Sequence, residues 1–115
     1  MAKKFKNTYV DIELETGETV KATLAYIHLL HLKNHNKEIY DRYNRIMTKG
    51  PQDELEIITV IYAAYLCACV ANDEIEEAMT EEEFLSVMSP DREYAGQILT
   101  QLYNPKKAKA SAARS

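Results

Sequence analysis

The sequence predicts an α+β fold that is mainly α: an N-terminal β-hairpin packed on a bundle of about four to five helices, followed by a disordered basic tail. Three observations carry this. Apolar residues alternate with polar ones on both sides of Gly17. Residues 57–71 run without a charge. Helix start and stop signals punctuate nearly everything that follows the hairpin.

In the first element, Val10, Ile12 and Leu14 alternate with Asp11, Glu13 and Glu15, the period of a strand with one buried face. Glu15-Thr16-Gly17-Glu18 supplies the turn, because Gly17 can take positive φ at no steric cost. Val20, Ala22 and Leu24 resume the alternation, so a hairpin is predicted over 8–23. Two strands alone are marginal in water, and their apolar face must lie on helices.

A first helix is predicted over 24–33, broken by Asn34-His35-Asn36. A second follows over 37–49, with Ile39, Tyr43, Ile46 and Met47 on one stripe, and Gly50-Pro51 stops it. Asp53 and Glu54 favour the positive end of the third helix. At 1.5 Å per residue the uncharged run in that helix spans about 22 Å, short of the roughly 30 Å of a bilayer core. Acids bracket it on both sides, so it is read as a helix wrapped by protein. So small a chain has few elements to wrap it with, and part of the run is expected to need a partner.

Residues 72–79 are acidic and without clear period; they could extend the third helix or form a loop. Thr80-Glu-Glu-Glu83 matches a capping box, and the short helix after it is expected to bury Phe84, Leu85, Val87 and Met88. Ser89 is predicted to cap a last helix with Pro90 at its first position and a stripe of Tyr94, Ile98 and Leu102. Asn104-Pro105 ends it. The chain thus divides into a flexible arm (1–7), one mainly helical domain with its hairpin (8–104) and a disordered basic tail (105–115).

Composition narrows the function. The 115 residues are 46% hydrophobic and 28% charged, with a net charge of −4, as in a single soluble domain. There is no Trp and only two Phe, but there are eight Tyr, whose apolar ring and polar tip suit half-buried seams and interfaces. Cys67 and Cys69, two apart on a helix, point about 200° from each other and cannot pair or share a metal there. Buried inert thiols fit a reducing compartment. The basic N-terminus has no apolar stretch behind it and is not a secretory signal. From Gly50 to Asp91 there is no Lys or Arg, whereas Lys106, Lys107, Lys109 and Arg114 stand in the last eleven residues without an acid. An acidic body argues against a main role on nucleic acid.

Catalytic signals are weak. His28, His31 and His35 would share a face only on an unbroken helix, and no carboxylate or Cys is clearly placed to complete a metal set. The acids at 73–77 and 81–83 lack the spaced ligands and central Gly of a calcium loop and read as a solvated face. No Gly-rich phosphate loop or nucleophile motif is present. No enzyme activity, cofactor or metal is expected.

The order of features is more specific than any one of them. The hairpin with Leu14 and Gly17 is followed by Leu24-Ala-Tyr-Ile-His-Leu-Leu-His-Leu-Lys33, then Tyr40-Asp-Arg-Tyr43, then Ile61-Tyr-Ala-Ala-Tyr-Leu-Cys-Ala68, Met79-Thr-Glu-Glu-Glu-Phe-Leu85 and a Lys-rich end. Over about residues 8–107 this resembles the small tail assembly chaperones of long-tailed, siphovirus-type bacteriophages, especially those of Gram-positive hosts. The resemblance implies a non-enzymatic protein of the host cytoplasm, not expected in the mature virion. It would self-associate, bind the long, helical tape measure protein and keep it soluble, and bring tail tube protein to it. Neither nucleic acid nor membrane is implied as a partner. It also implies a longer product made by ribosomal frameshift, for which Lys106 and Lys107 are the place to look.

An apolar groove would take an amphipathic client helix, and its candidate residues are Tyr26, Leu30, Tyr40, Tyr43, Tyr62 and Tyr65. The alternative is a small regulatory protein that binds nucleic acid or another protein through its basic termini, with steep salt dependence on an oligonucleotide. Metal-dependent catalysis through the three histidines ranks last.

Overall fold

The computed structural model describes residues 9–103. The predicted arm over 1–7, the tail over 105–115 and the Lys106-Lys107 pair lie outside the described residues.

Strands β1 (Val10–Glu13) and β2 (Thr19–Ala22) pair antiparallel, with Val10 opposite Ala22 and Ile12 opposite Val20. Their alternation turns Val10, Ile12, Leu14 and Ala22 into the core. Leu14 N–H donates to the Glu18 carbonyl at 2.8 Å, and Gly17 sits at φ 93°, the left-handed region that favours glycine. Among the described residues five α-helices follow, with α1 at Tyr26–His35, α2 at Lys37–Lys49, α3 at Glu54–Ala71, α4 at Glu81–Val87 and α5 at Arg92–Tyr103. The molecule is therefore mainly helical with an N-terminal hairpin, as the sequence predicts.

Helix α3 is the axis of the fold. Strand β2 and helices α1, α2, α4 and α5 all pack against it, and every side chain from Ile58 to Cys69 is buried. This corrects the expectation that the uncharged run needs a partner to cover it. The reason is close approach. Ala63, Ala64 and Ala68 bring backbones together, so that Thr23 N–H donates to the Ala64 carbonyl at 3.0 Å and the hairpin closes a side that helices alone would leave open. By length and composition α3 would pass for a membrane-crossing helix; its burial within the protein accounts for its hydropathy.

Local signals set the boundaries, with some departures. Helix α1 starts at Tyr26 and runs through Asn34 and His35, because the chain turns at Asn36 instead. Asn36 ends α1 and caps α2, its side-chain oxygen accepting from Ile39 N–H at 3.2 Å. Residues 72–79 do not extend α3. Asp73 takes φ 59°, and a 3-10 turn at Ile75–Glu77 reverses the chain. The predicted capping box forms, with Thr80 Oγ1 accepting from Glu83 N–H and the Glu83 carboxylate accepting from Thr80 N–H at 2.8 Å. Replacing Thr80 with alanine is expected to lower unfolding stability by about 1 kcal/mol, read as a lower urea midpoint with an unchanged slope.

Helix α4 buries Phe84 and Met88 on one face and turns Leu85 outward, 40% exposed, since i and i+1 lie 100° apart. This corrects the expected burial of Leu85. Ser89 does not cap α5. Its hydroxyl accepts from Asp91 N–H, and Asp91 caps in its place by accepting from Glu93 N–H at 3.0 Å. Ile98 and Leu102 then face α3, while the Tyr94 hydroxyl accepts from Glu13 N–H at 2.8 Å and ties α5 to the outer edge of β1.

Candidate protein-binding surface

Helix α1 is too apolar for one stripe. Five of its ten residues are Tyr, Ile or Leu. His28, Leu29 and Leu32, with Leu32 between the other two in rotation, face the core and are buried. Tyr26 and Leu30, one turn apart, and Ile27 beside them fall on the opposite side, at 90%, 52% and 51% exposure. Large apolar side chains lying together in water mark a contact surface more often than scattered ones do.

The patch continues onto α2. Lys33 lays its ammonium 5.5 Å from the centre of the Tyr40 ring, and Tyr40 and Tyr43 lie 6.2 Å apart, both half-buried. Burial pushes the Tyr43 hydroxyl up to about 12, helped by Tyr103, Cys67, Tyr40 and Tyr26 around it. Those neighbours place Tyr26 of α1, Tyr40 and Tyr43 of α2 and Tyr103 of α5 in one region. The Tyr103 hydroxyl bonds the Met47 sulfur, which seats the end of α5 on the same seam. Burial also raises Tyr103. Tyr43 and Tyr103 thus keep their protons at physiological pH and offer hydroxyls on an apolar floor.

Of the six candidate residues, Tyr26, Leu30, Tyr40 and Tyr43 come together here. Tyr62 and Tyr65 do not, and this corrects their grouping with the other four. Both are buried on α3, with ring centres 5.4 Å and 5.2 Å from Phe84. The Tyr62 hydroxyl donates to the Met79 carbonyl and the Tyr65 hydroxyl accepts from Met79 N–H, each at 2.8 Å. Together they hold both backbone groups of Met79 and fix the segment that leads into α4. Ile27 was not among the sequence candidates; the signal for it is the surplus of apolar residues on α1.

Other features lie apart from the patch. His28 is buried with its ring stacked 6.4 Å from Tyr9, and burial first, then His31, lowers its pKa. His31 and His35 are exposed, and among the described residues no three His, Cys, Asp or Glu side chains converge to hold a metal. Burial pushes the Cys67 thiol up to about 12 and raises Cys69. A hollow of about 440 Å³ is walled by Glu13, Glu15, Asp91 and Glu93, and another of about 720 Å³ runs beside β2 past Tyr65, Glu74 and Glu77. Neither is lined by Tyr26, Ile27 or Leu30, so the patch is a helix face beside a tyrosine seam. No family model matches the sequence, and neither a curated protein nor a solved structure matches the chain.

Proposed function

We propose that this chain is a non-enzymatic tail assembly chaperone that binds a helical segment of the tape measure protein on its α1–α2 face, keeps that client soluble and helps recruit tail tube protein to it. The order of sequence features over about residues 8–107 supports the reading. The observation that carries it is the exposure of Tyr26, Ile27 and Leu30 on a helix whose other side is locked into the core. A client helix would lay its own apolar stripe on this face. At about 25 cal/mol per Å², some 400 Å² of apolar burial contributes roughly 10 kcal/mol before ordering costs, which leave a far weaker net affinity. Such reversible contacts suit a protein that leaves the tail before it is complete. Several copies along a long client, or self-association, would restore strength by avidity. The setting would be the host cytoplasm, and a longer frameshifted product would share the body through Tyr103.

The test is co-expression with an apolar tape measure fragment that precipitates alone. The wild-type chain is expected to keep it soluble. The double variant Tyr26→Ser/Leu30→Ser is expected to lose most of that effect, more than tenfold in affinity by the usual weight of aromatic contact residues. Its own thermal midpoint should hardly move, since substitutions at exposed sites stay within about 0.5 kcal/mol. A fragment left as insoluble as it is alone, or rescued equally by the double variant, would refute the reading.

A further inference from the structure

We infer that the outer edge of β2 takes an extended, basic segment of a partner protein as an added strand. This surface is separate from the α1–α2 face and goes beyond the function proposed for it.

In an antiparallel pair, alternate residues of each strand turn their N–H and C=O groups toward the other strand, and the residues between turn theirs away. The Leu14 N–H on the Glu18 carbonyl sets the parity here. Even-numbered residues bond across the hairpin, and odd-numbered ones face outward. Most of the outward N–H groups near the turn and the helices find partners. Glu13 N–H donates to the Tyr94 hydroxyl and Glu15 N–H to the Val87 carbonyl, each at 2.8 Å. Just past β2, Thr23 N–H donates to the Ala64 carbonyl at 3.0 Å. Thr19 and Lys21 are left on the outer edge of β2. Among the described residues nothing bonds their outward backbone groups, and no proline or bulge interrupts the edge. The edge opens on the hollow of about 720 Å³, which is walled by Thr19, Val20 and Lys21 of β2 and by Glu74, Glu77 and Ala78 of the segment after α3. The four residues of β2 offer an edge about 13 Å long, enough to seat a short strand.

Charge decides what kind of strand. The charged residues that line the hollow are Glu74, Glu77 and Lys21. Lys21 is held by Asp11 at 3.0 Å on the other strand, away from the open edge, so it neither guards that edge nor offsets the acids. Glu74 and Glu77 are exposed, have no cation partner among the described residues, and stand with Asp73 and Glu76 in a stretch (50–91) without Lys or Arg. A strand alternating Lys or Arg with apolar residues fits both features. Its backbone bonds Thr19 and Lys21, its apolar side chains cover the half-buried Val20 and Ala78, and its cations meet the carboxylates. An acidic strand would meet like charge instead.

The probe is a fluorescent peptide of about ten residues alternating Lys and Val, titrated against the full chain by anisotropy beside its Glu–Val counterpart. The Lys peptide is expected to bind about tenfold more tightly, and Glu74→Gln/Glu77→Gln should remove most of that difference. Tyr26→Ser/Leu30→Ser should leave it unchanged. Strand pairing has its own readouts. Bound Lys peptide should slow hydrogen exchange at the Thr19 and Lys21 amides by about tenfold or more. N-methylation at every Lys or at every Val should abolish binding in one form and spare it in the other, because only alternate amides face β2. Equal binding of the Lys and Glu peptides would overturn the proposal. So would unchanged exchange at Thr19 and Lys21, or equal loss in both methylated forms. Protection of these amides before any peptide is added would also overturn it. Protection that grows with protein concentration would assign the edge to a second copy, and protection lost on deleting residues 1–8 would assign it to the chain itself.

Discussion

Replacing Phe84 with alanine is expected to cost about 3–5 kcal/mol of unfolding stability, the range for removing a buried aromatic side chain. Native domains of this size hold only about 5–15 kcal/mol in all, so the variant should sit near the edge of folding. The site warrants the upper half of that range. Phe84 has no exposed surface, and it touches both Tyr62 and Tyr65, so its loss opens a cavity under two further rings. Those rings hold Met79 through its N–H and its carbonyl, so loosening them also loosens the entry to α4. Phe84→Leu refills most of the space and should cost under about 1.5 kcal/mol. Urea denaturation followed by circular dichroism separates the two. If Phe84→Ala lost less than about 1 kcal/mol, α4 would not be part of the cooperative core.

The hairpin and the capping box were legible because each depends on a few neighbouring residues. Alternation from Val10 to Leu14 admits one buried face, and Thr80 with Glu83 satisfies two backbone donors without help from elsewhere. The start of α5 was harder to read, since Ser89, Pro90 and Asp91 offer two competing caps three-dimensionally compatible with the same residues. Asp91 takes the role because the Ser89 hydroxyl is already engaged with its N–H. The closure of α3 was not legible at all. It depends on how near β2 comes to Ala64, a tertiary distance that no local pattern encodes.

The candidate surface divides the same way. On α2 the stripe of Ile39, Tyr43, Ile46 and Met47 separates core side from edge, so half-burial of Tyr43 follows from spacing. On α3 apolar residues occupy every side, so rotation around the helix carries no information about Tyr62 and Tyr65. What closes over them comes fourteen or more residues later, with Phe84 against both rings and the Met79 backbone on both hydroxyls. Exposure of Tyr26 and Ile27 is visible only as a surplus: α1 has more apolar residues than one buried face can hold.

Stability should fall steeply between pH 10 and about 12. Tyr62 and Tyr65 titrate at about 10 in an unfolded chain, and burial pushes each up to about 12 in the folded one. The folded state therefore holds these protons more tightly than the unfolded state does. The stabilisation is complete below pH 10 and is lost as pH rises toward 12. Each tyrosine can account for up to about 3 kcal/mol of that loss. Cys67 adds to the effect from about pH 9 upward, since its thiol is also held near 12 by burial. Ionisation also removes the proton that Tyr62 donates to the Met79 carbonyl, so the clamp on α4 opens as the charge appears. Urea midpoints measured from about pH 8 to pH 12 should drop, and tyrosinate absorbance should rise together with the loss of helical signal. The variant Tyr62→Phe cannot ionise at that site. It should start less stable, by about the 1 kcal/mol of a hydrogen bond, yet show a shallower decline above pH 10. Flat midpoints up to pH 12, or a decline in Tyr62→Phe as steep as in the wild type, would mean that these hydroxyls are open to solvent and that the Met79 clamp is not what holds α4 to the core.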